Sequence, residues 1–227
     1  MRDATLRAAR MLSPGTRELT LDPGAGFAFT PGQWVSVKIP SPDGGAPLPR
    51  SYSVASAPRA DGTFDLAVTL VESGPGSTWL HAMRVGDVVP VGDPMGFFTL
   101  PDALDRPLLL IATGAGVAPF RAMLQAMGPR GPGVPVTLLL GARTEADLLY
   151  ADELRALPWL RFAPTLSRAG DDWAGLRGYV QAHLAGFVTE GADAWVCGRS
   201  AMIRDVRKAL KESLGFTRER IHTERFD

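Results

Sequence analysis

Short runs in which apolar and polar residues alternate occupy the first hundred positions of the chain. Alternation with a period of two, interrupted by Gly, Pro and Asp, is typical of half-buried strands joined by turns. One short helix is predicted over residues 77–83, and residues 40–49 are predicted to form a polar loop. A succession of strands with a single short helix predicts an antiparallel β-barrel. The predicted strands cover residues 4–12, 16–21, 33–39, 50–55, 63–71 and 87–91.

A different pattern begins after residues 100–106. Residues 108–112 form a continuous apolar run, which is typical of a strand buried on both faces of a parallel sheet. From there strands and helices alternate, which implies a parallel sheet with right-handed crossovers. We therefore predict two domains, residues 1–101 and 102–227. The later strands are predicted at 135–141, 161–167, 194–197 and 220–226, and the helices at 118–127, 146–157, 178–185 and 201–214.

Residues 49–56, PRSYSVAS, place a cation, an aromatic ring and hydroxyl groups in one predicted strand. Alternate side chains of a strand share a face, so Arg50 and Tyr52 can project together. A flavin dinucleotide offers a pyrophosphate for the guanidinium and a flat ring for the phenol to stack on. An ordinary half-buried strand is the alternative, and the tetrapeptide Arg50-Ser51-Tyr52-Ser53 alone does not decide between the two.

A glycine turn follows the apolar strand at residues 108–112. Thr113, Gly114, Ala115 and Gly116 end the strand, and Pro119 stands in the first helical turn, where a missing N–H costs no hydrogen bond. A strand, a glycine turn and a helix N-terminus form an arrangement that suits a phosphate. Because Pro119 takes the last glycine position of GxGxxG, a simple Rossmann dehydrogenase is the wrong template. A tight turn without a ligand is the alternative.

Several further motifs accompany these two signals in a fixed order. They are Pro31-Gly32-Gln33, Gly74-Pro75-Gly76-Ser77-Thr78, Gly92-Asp93-Pro94-Met95-Gly96, Cys197-Gly198 and Glu224-Arg225-Phe226. Together the motifs resemble those of the ferredoxin-NADP reductase family over residues 29–226. The resemblance implies an antiparallel Greek-key β-barrel that binds FAD, followed by an α/β parallel-sheet, Rossmann-like domain that binds NAD(P).

The resemblance also implies roles in FAD binding. Arg50 would pair with the pyrophosphate, Tyr52 would stack on the isoalloxazine, and Ser53 would lie near flavin N5. Thr69 stands where relatives carry a basic residue, so part of the phosphate charge would meet only backbone amides. The predicted FAD-binding residues are Arg50, Ser51, Tyr52, Ser53, Val68, Gly76, Ser77, Thr78 and Phe226, the last covering the other face of the flavin.

A nicotinamide nucleotide would bind the second domain. Cys197 would position nicotinamide C4 without acting as a covalent nucleophile, since no nearby histidine supplies a base; an inert buried cysteine is the alternative. Glu224 would supply a proton or hold the nicotinamide, which makes Ser53, Cys197 and Glu224 the predicted catalytic residues. The predicted nucleotide-binding residues are Thr113, Gly114, Ala115, Gly116, Arg143, Ser167, Arg168, Arg177, Tyr179, Cys197 and Gly198.

The choice between NADP and NAD depends on the residues that follow the third strand of the second domain. Ser167-Arg168, Arg177 and Tyr179 resemble the group that holds the 2′-phosphate and stacks on the adenine in NADP-specific relatives. Guanidinium groups suit a dianionic phosphate because they form bidentate bonds with it. These residues favour NADP over NAD, although a solvated loop arginine is a common alternative.

Composition narrows the class of partner. The 227 residues contain 24 Lys and Arg and 24 Asp and Glu, so the net charge is zero and nothing points to a nucleic acid. A single cysteine, Cys197, excludes a disulfide within the chain and a cluster held by four cysteines of this chain. The amino-terminal region lacks the apolar run of a signal peptide, and no stretch is long enough to span a membrane. We expect a cytoplasmic monomer, without membrane contact, that passes electrons to an external acceptor.

The predicted function is FAD-dependent hydride transfer to or from NADP(H), with ferredoxin or flavodoxin as the external redox protein. The nearest alternative is an NADH-dependent reductase component of an oxygenase, which would use the same site. A flavin reductase that releases reduced flavin is a second alternative. A non-catalytic flavin or nucleotide redox sensor is a third, and it belongs to a different functional class.

Overall fold

The computed structural model describes residues 1–226. By their contacts, the residues group into two compact units. The first unit comprises Met1–Leu100 and Ala118–Ala126, and the second comprises Pro101–Val117 and the residues from Met127 onward.

Six antiparallel strands form the sheet of the first unit. Their order in the sheet is β4-β3-β6-β1-β2-β5, and each pair of neighbours is antiparallel. The strands are β1 (Arg2–Ser13), β2 (Thr16–Asp22), β3 (Trp34–Ile39), β4 (Leu48–Ser53), β5 (Phe64–Thr69) and β6 (Val88–Val91). All six predicted strands are present, with ends that differ by at most two residues.

The two outer strands of this sheet meet where the chain leaves β4. Val54 forms an antiparallel bridge with Leu66 of β5, which brings the two edges together. Alternating apolar side chains of every strand then point into one core, as Val35, Val37 and Ile39 do from β3. The predicted antiparallel barrel is confirmed.

Two helices pack within the first unit. Helix α1 spans Pro75–Ala82, and residues 118–126 of helix α2 (Val117–Met127) group with the barrel strands. The rings of Phe98 and Phe120 are 5.7 Å apart, centre to centre. A Cβ on Gly32 would lie 2.0 Å from the Phe98 carbonyl oxygen, and the backbone of Gly32 has a positive φ of 101°, so only a glycine fits this turn.

The second unit contains an all-parallel sheet of six strands in the order β10-β9-β8-β7-β11-β12. Strand β7, the predicted apolar run, lies between two other strands and is buried along its first five residues. The strands and helices of the second unit are β7 (Leu108–Thr113), β8 (Val136–Ala142), α3 (Ala151–Arg155), β9 (Leu160–Leu166), β10 (Leu176–Arg177), β11 (Asp193–Gly198), α4 (Ser200–Glu212) and β12 (Ile221–Arg225). The predicted parallel sheet is confirmed.

Two predicted helices of this unit are wrong. Residues 146–157 hold only a 3₁₀ turn and the five-residue α3, because a capping box between Thr144 and Asp147 closes a first turn and Tyr150 takes a left-handed backbone (φ 58°). Residues 178–185 form 3₁₀ turns, and His183 bonds back to the Arg177 carbonyl. In the described part of the chain, no helix has the length and apolarity that crossing a bilayer requires.

Candidate functional site

The predicted flavin motif lies on β4, at one edge of the barrel sheet. Strand β3 fixes its register, because Val37 faces Arg50, Val35 faces Tyr52 and Trp34 faces Ser53. Arg50 and Ser51 are exposed, Tyr52 is half-buried and Ser53 is buried. The motif therefore runs from the surface towards the core as the strand proceeds.

Arg50 lies against the start of α1. A Cβ on Gly76 would be 3.0 Å from Cγ and 3.4 Å from Nε of Arg50, so the arginine stem passes directly over this glycine. No side chain caps the helix at Gly74, and Pro75 opens its first turn. The first amides of a helix have no partner within it, and they carry a partial positive charge. A guanidinium beside such a terminus fits an anionic pyrophosphate, as predicted for FAD.

Tyr52 and Ser53 lie deeper. The Tyr52 ring packs against the barrel core, and burial raises the pKa of its phenol while the charge of Arg50 opposes that rise. The phenol is therefore neutral at physiological pH and presents a flat, uncharged ring. Ser53 ends β4 with a side chain buried next to Val54. The roles of Tyr52 as a stacking ring and of Ser53 as an inner hydroxyl stay predictions.

Three other residues, Val68, Ser77 and Thr78, are predicted to bind FAD. The side chains of Val68 and Ser77 are buried, so only their backbone groups could bind a phosphate. The Val68 side chain is fully buried in the core, and its carbonyl accepts a hydrogen bond from Nε2 of His81 at 2.8 Å. The Ser77 hydroxyl accepts from the Val71 amide at 3.0 Å and donates to the Gly74 carbonyl, so it holds the turn ahead of α1. Thr78 is exposed. Of these, the amides of α1 are the groups available to a phosphate.

A buried ion cluster lies behind this motif, and the sequence analysis missed it. Nη1 of Arg121 in α2 lies 3.0 Å from Oδ2 of Asp65 and 3.3 Å from Oε2 of Glu18. Arg59 binds Asp65 from the more exposed side, and Arg10 binds Glu18. The hydrogen bonds from Arg59, Thr20 and Arg121 lower the pKa of Asp65 against the opposing effect of burial. A lone arginine in the apolar helix segment VAPFRAML was the signal for this cluster.

The glycine turn of the second unit lies against the end of β11. A Cβ on Gly116 would be 2.3 Å from the carbonyl oxygen of Cys197, and Gly114 takes a left-handed backbone (φ 53°). A Cβ on Gly198 would likewise be 2.5 Å from Oγ1 of Thr113. Both glycines are required because backbone approaches backbone or a hydroxyl without room for a side chain. The turn predicted for the pyrophosphate and the Cys-Gly pair therefore form one packed edge.

The chain end reaches the same edge through β12. Cys197 pairs with Glu224 in the register of β11 and β12, and the Phe226 amide donates to the Gly198 carbonyl at 3.2 Å. Burial, and secondarily the charge of Glu224, raises the pKa of the Cys197 thiol well above its usual value. The thiol is therefore neutral, which fits a positioning group and not a thiolate nucleophile. Phe226 is 43% exposed.

The residues predicted for the 2′-phosphate separate into two groups. Arg143 and Arg168 lie side by side at the ends of β8 and β9, where the Arg168 amide donates to the Arg143 carbonyl at 2.8 Å. Arg177 instead directs its guanidinium at carbonyl oxygens of its own loop, those of Ala169, Gly170, Asp171 and Trp173. Ser167 hydrogen-bonds to Ala142, and Tyr179 is largely exposed. All three arginines are exposed, but Arg177 holds a loop with its guanidinium, whereas Arg143 and Arg168 lie next to each other.

A basic groove of about 590 Å³ lies between α4 and β12. Ion pairs within α4, Arg204 with Asp205 and Lys208 with Glu212, balance only part of its charge. The groove is lined by one carboxylate, Glu212, and by the cations Arg204, Arg207, Lys208, Lys211 and Arg225. It is the second feature that the sequence analysis missed, although the four cations of α4 recur at helical spacing.

Two family models match the chain. The oxidoreductase FAD-binding domain matches residues 3–100, and the oxidoreductase NAD-binding domain matches residues 110–208. The first covers β4 and α1, and the second covers the glycine turn and Cys197.

Relatives of several kinds are similar to the chain. Ferredoxin-NADP reductase B of Sorangium cellulosum is 42% identical over 99% of this chain and 97% of that protein. The phenol 2-monooxygenase reductase component DmpP of a Pseudomonas species is 32% identical over 95% of this chain and 62% of that protein. The solved structure of the cytochrome P450 reductase GcoB from Amycolatopsis superposes with a TM-score of 0.86 at 31% identity, covering 99% of this chain and 70% of that one. The chain spans 54–65% of the length of the oxygenase components that it matches.

Proposed function

The chain belongs to the ferredoxin-NADP reductase family, and from this premise we propose that it transfers a hydride from NADPH to FAD and passes the electrons to ferredoxin or flavodoxin. Family membership confirms the predicted flavoprotein oxidoreductase and its cofactors, FAD and NADP(H). We propose the nucleotide that the cell uses, the acceptor and the roles of the residues. The hydride-transfer role is supported above all by the packed edge that the glycine turn forms with Cys197, Gly198 and the end of β12.

The first unit contributes the flavin-binding groups. Arg50 and the first amides of α1 bind the negatively charged pyrophosphate of FAD. The uncharged Tyr52 ring offers a face on which the flavin can stack. Ser53 would direct its hydroxyl to a ring nitrogen of the flavin. When bound, FAD supplies the chemistry of accepting two electrons with a hydride and releasing them singly. Part of the phosphate charge is met by amides, since Thr69 brings no cation.

In the second unit, the residues around Cys197 orient a nicotinamide and exclude water. The turn at Gly114–Gly116 and the following helix start bind the pyrophosphate. The neutral Cys197 thiol packs beside the nicotinamide without competing as a nucleophile, because its pKa is raised by burial. Glu224 lies on β12 next to Cys197, so its carboxylate can accept a hydrogen bond from the nicotinamide amide or take up a proton. Phe226 follows β12 and is 43% exposed, so its ring would be available to stack on a ring of a bound cofactor.

We place the 2′-phosphate of NADPH on Arg143 and Arg168. The pair is exposed and adjacent, whereas Arg177 is engaged with four carbonyl groups of its loop. Arg168→Ala should lower kcat/KM for NADPH by about tenfold or more and leave that for NADH within about twofold, since only NADPH carries the phosphate. Steady-state assays with both nucleotides measure this, and Arg155→Ala, an exposed cation of α3, is the control. Equal losses with NADPH and NADH would contradict the assignment, and an equal or better kcat/KM of the wild type with NADH would contradict NADPH.

The basic groove on α4 and β12 supports an acidic redox protein as the acceptor. Its cations are spread along a helix of 13 residues, which is about 20 Å long and exceeds the size of one phosphate group. Charge complementarity of this kind acts mainly on the association rate and weakens with salt. Arg207→Glu combined with Lys211→Glu should slow ferredoxin reduction about tenfold at low salt and leave ferricyanide reduction unchanged. A double variant that reduces ferredoxin at the wild-type rate would exclude this groove as the docking surface.

The alternatives differ in what they do with the same cofactors. An oxygenase reductase component would prefer NADH and reduce an oxygenase partner instead of ferredoxin or flavodoxin. A flavin reductase would release FAD, so a protein that stays yellow through gel filtration counts against it. A redox sensor would bind both cofactors without NADPH-dependent bleaching of the flavin. We also propose a cytoplasmic monomer with a domain boundary near residue 101; sedimentation at assay concentration tests the oligomeric state.

A further inference from the structure

We propose that Arg121 and Gln125 of α2 are positioning residues for Ser53, because they hold the backbone that directly follows the flavin strand. This inference rests on the proposed flavin-side role of Ser53. Neither residue belongs to the predicted site, and both lie in a helix that the sequence assigns to the nucleotide domain. Arg121 and Gln125 are four residues apart, so they project from the same face of α2.

Both side chains bind main-chain groups of residues 55–57. Nη1 of Arg121 donates to the Ala55 carbonyl at 2.9 Å, and the Ala57 amide donates to Oε1 of Gln125 at 2.9 Å. Arg121 is 6% exposed, so its hydrogen bonds form away from solvent, where an unmade bond is costly. Because Asp65 neutralises Arg121 at 3.0 Å, the guanidinium can stay charged in this position.

Residues of the barrel also bind this segment. The Val54 amide donates to Gln33 at 2.9 Å, and the Ala55 amide donates to the Asp65 carbonyl at 2.8 Å. The Ser56 hydroxyl accepts a bond from the Asp65 amide. Residues 54–56 are fully buried. The contacts from α2 add two bonds, so barrel residues and α2 together hold the segment that follows β4.

One consequence concerns Ser53. Ser53 lies two residues before Ala55, so the bonds from α2 hold the backbone that follows its buried hydroxyl. Misplacement of a reacting group by about 1 Å can cost about a hundredfold in rate. The helix that begins just after the Gly114–Gly116 turn therefore also sets the position of the flavin-side hydroxyl.

Amide hydrogen exchange of the full-length chain tests the contact itself, without depending on activity. In Gln125→Leu, the Ala57 amide loses its acceptor and should exchange about three- to tenfold faster, since one hydrogen bond is lost. Arg121→Met should speed exchange across residues 54–57. The control is Arg59→Met, which removes a partner of the same Asp65 but makes no bond to residues 55–57. Unchanged protection of Ala57 in Gln125→Leu overturns the proposal.

Function supplies the second readout. With FAD bound, Arg121→Met should slow flavin reduction at saturating NADPH at least about tenfold, with little change in the KM for NADPH, and should alter the visible circular dichroism of the flavin. Arg121→Lys should recover part of the rate because it keeps one charged donor. Equal rates and spectra for Arg121→Met and Arg59→Met would overturn the proposal. If Arg121→Met does not fold, Gln125→Leu decides by the same measurements.

The two proposals fail in different ways. A wild-type protein that binds FAD but is not reduced by NADPH would refute the proposed function. The Ala57 exchange and the flavin dichroism would still decide whether α2 holds the segment after β4. A reducible wild type with unaffected Gln125→Leu and Arg121→Met variants would refute only the positioning role.

Discussion

The two units are stabilised around their candidate sites by different interactions. Of the ten polar or charged side chains that are buried in the described residues, eight belong to the first unit, among them Glu18, Asp65 and Arg121. Thr137 and Thr165 are the two in the described part of the second unit, where the aromatic residues Tyr150, Trp159 and Trp195 each bury one polar atom as well. The edge around Cys197 is formed mainly by close backbone and glycine contacts, with Thr113 and Glu224 beside it. The flavin side is therefore held by paired charges and the nicotinamide side by close packing.

Each strategy has its own vulnerability. A buried charge is stable only while its partner is present, so the first unit is sensitive to the loss of a single carboxylate. A close backbone approach tolerates no added atom, so the second unit is sensitive to a single methyl group. Substitutions of Asp65 and of Gly116 separate these two sensitivities.

The largest effect is expected for Asp65→Ala. The substitution leaves Arg121 buried without its nearest carboxylate and should lower the free energy of unfolding by about 3–5 kcal/mol. Urea denaturation monitored by circular dichroism measures it. Asp102→Ala, which removes an exposed carboxylate outside the ion cluster, is the control and should change little. A loss below about 1 kcal/mol in Asp65→Ala would show that the ion cluster does not support the barrel.

The same carboxyl group gives a pH dependence. Because the pKa of Asp65 is lowered in the folded chain, its contribution to stability is present above the ordinary pKa of about 4 and is lost as the pH falls through the lowered value. Acid titration of the wild type should therefore show a steeper loss of stability below pH about 4 than the Asp65→Ala variant shows.

Gly116→Ala should have the next largest effect, confined to the nucleotide side. The added Cβ would lie 2.3 Å from the Cys197 carbonyl, so the turn or β11 must move. We expect FAD reduction by NADPH to slow about a hundredfold, with FAD content unchanged. Stopped-flow absorbance measures the rate.

Gly186→Ala is the matched control for this substitution, because no atom lies within 4 Å of a Cβ at Gly186. If the two variants reduced FAD equally fast, close packing around Cys197 would not matter to the reaction. A loss of FAD from Gly116→Ala alone would also contradict the separation of the two sides.

The smallest effect concerns Cys197. Since burial raises the pKa of its thiol, the fraction of reactive thiolate at pH 8.5 is low, and iodoacetamide should alkylate the folded chain at least about tenfold more slowly than the urea-unfolded chain. Mass spectrometry follows the adduct. Equal rates in the folded and unfolded chain would mean that the thiol is exposed and ionised, contrary to a packed positioning group.

Much of the fold could be predicted from the sequence, because period-two alternation and the apolar run at Leu108 specify their elements locally. The helices predicted at residues 146–157 and 178–185 failed because turn chemistry decided there: the Thr144 capping box, the left-handed Tyr150 and the His183 bond to Arg177. Composition and spacing alone do not reveal these local competitors of the helix.

Candidate site residues that belong to a sequence motif could be found from the sequence. Residues that are joined only by contacts between distant parts of the chain could not. The Gly114–Gly116 turn, Cys197 and Glu224 meet as the resemblance implies. Arg177 does not stand with Arg168 as a free cation, because its loop carbonyls lie within reach of its guanidinium. Arg121 binds a carbonyl 66 residues earlier in the chain, a contact that sequence spacing cannot indicate.

The central claim is that this chain moves electrons from NADPH through FAD to a small redox protein. Anaerobic mixing of the FAD-bound protein with NADPH, followed by oxidised ferredoxin or flavodoxin, tests it in one experiment. The account predicts that the flavin band bleaches within one turnover and recovers as the carrier is reduced. A flavin that stays oxidised in excess NADPH, although FAD and NADPH are both bound, would contradict the account.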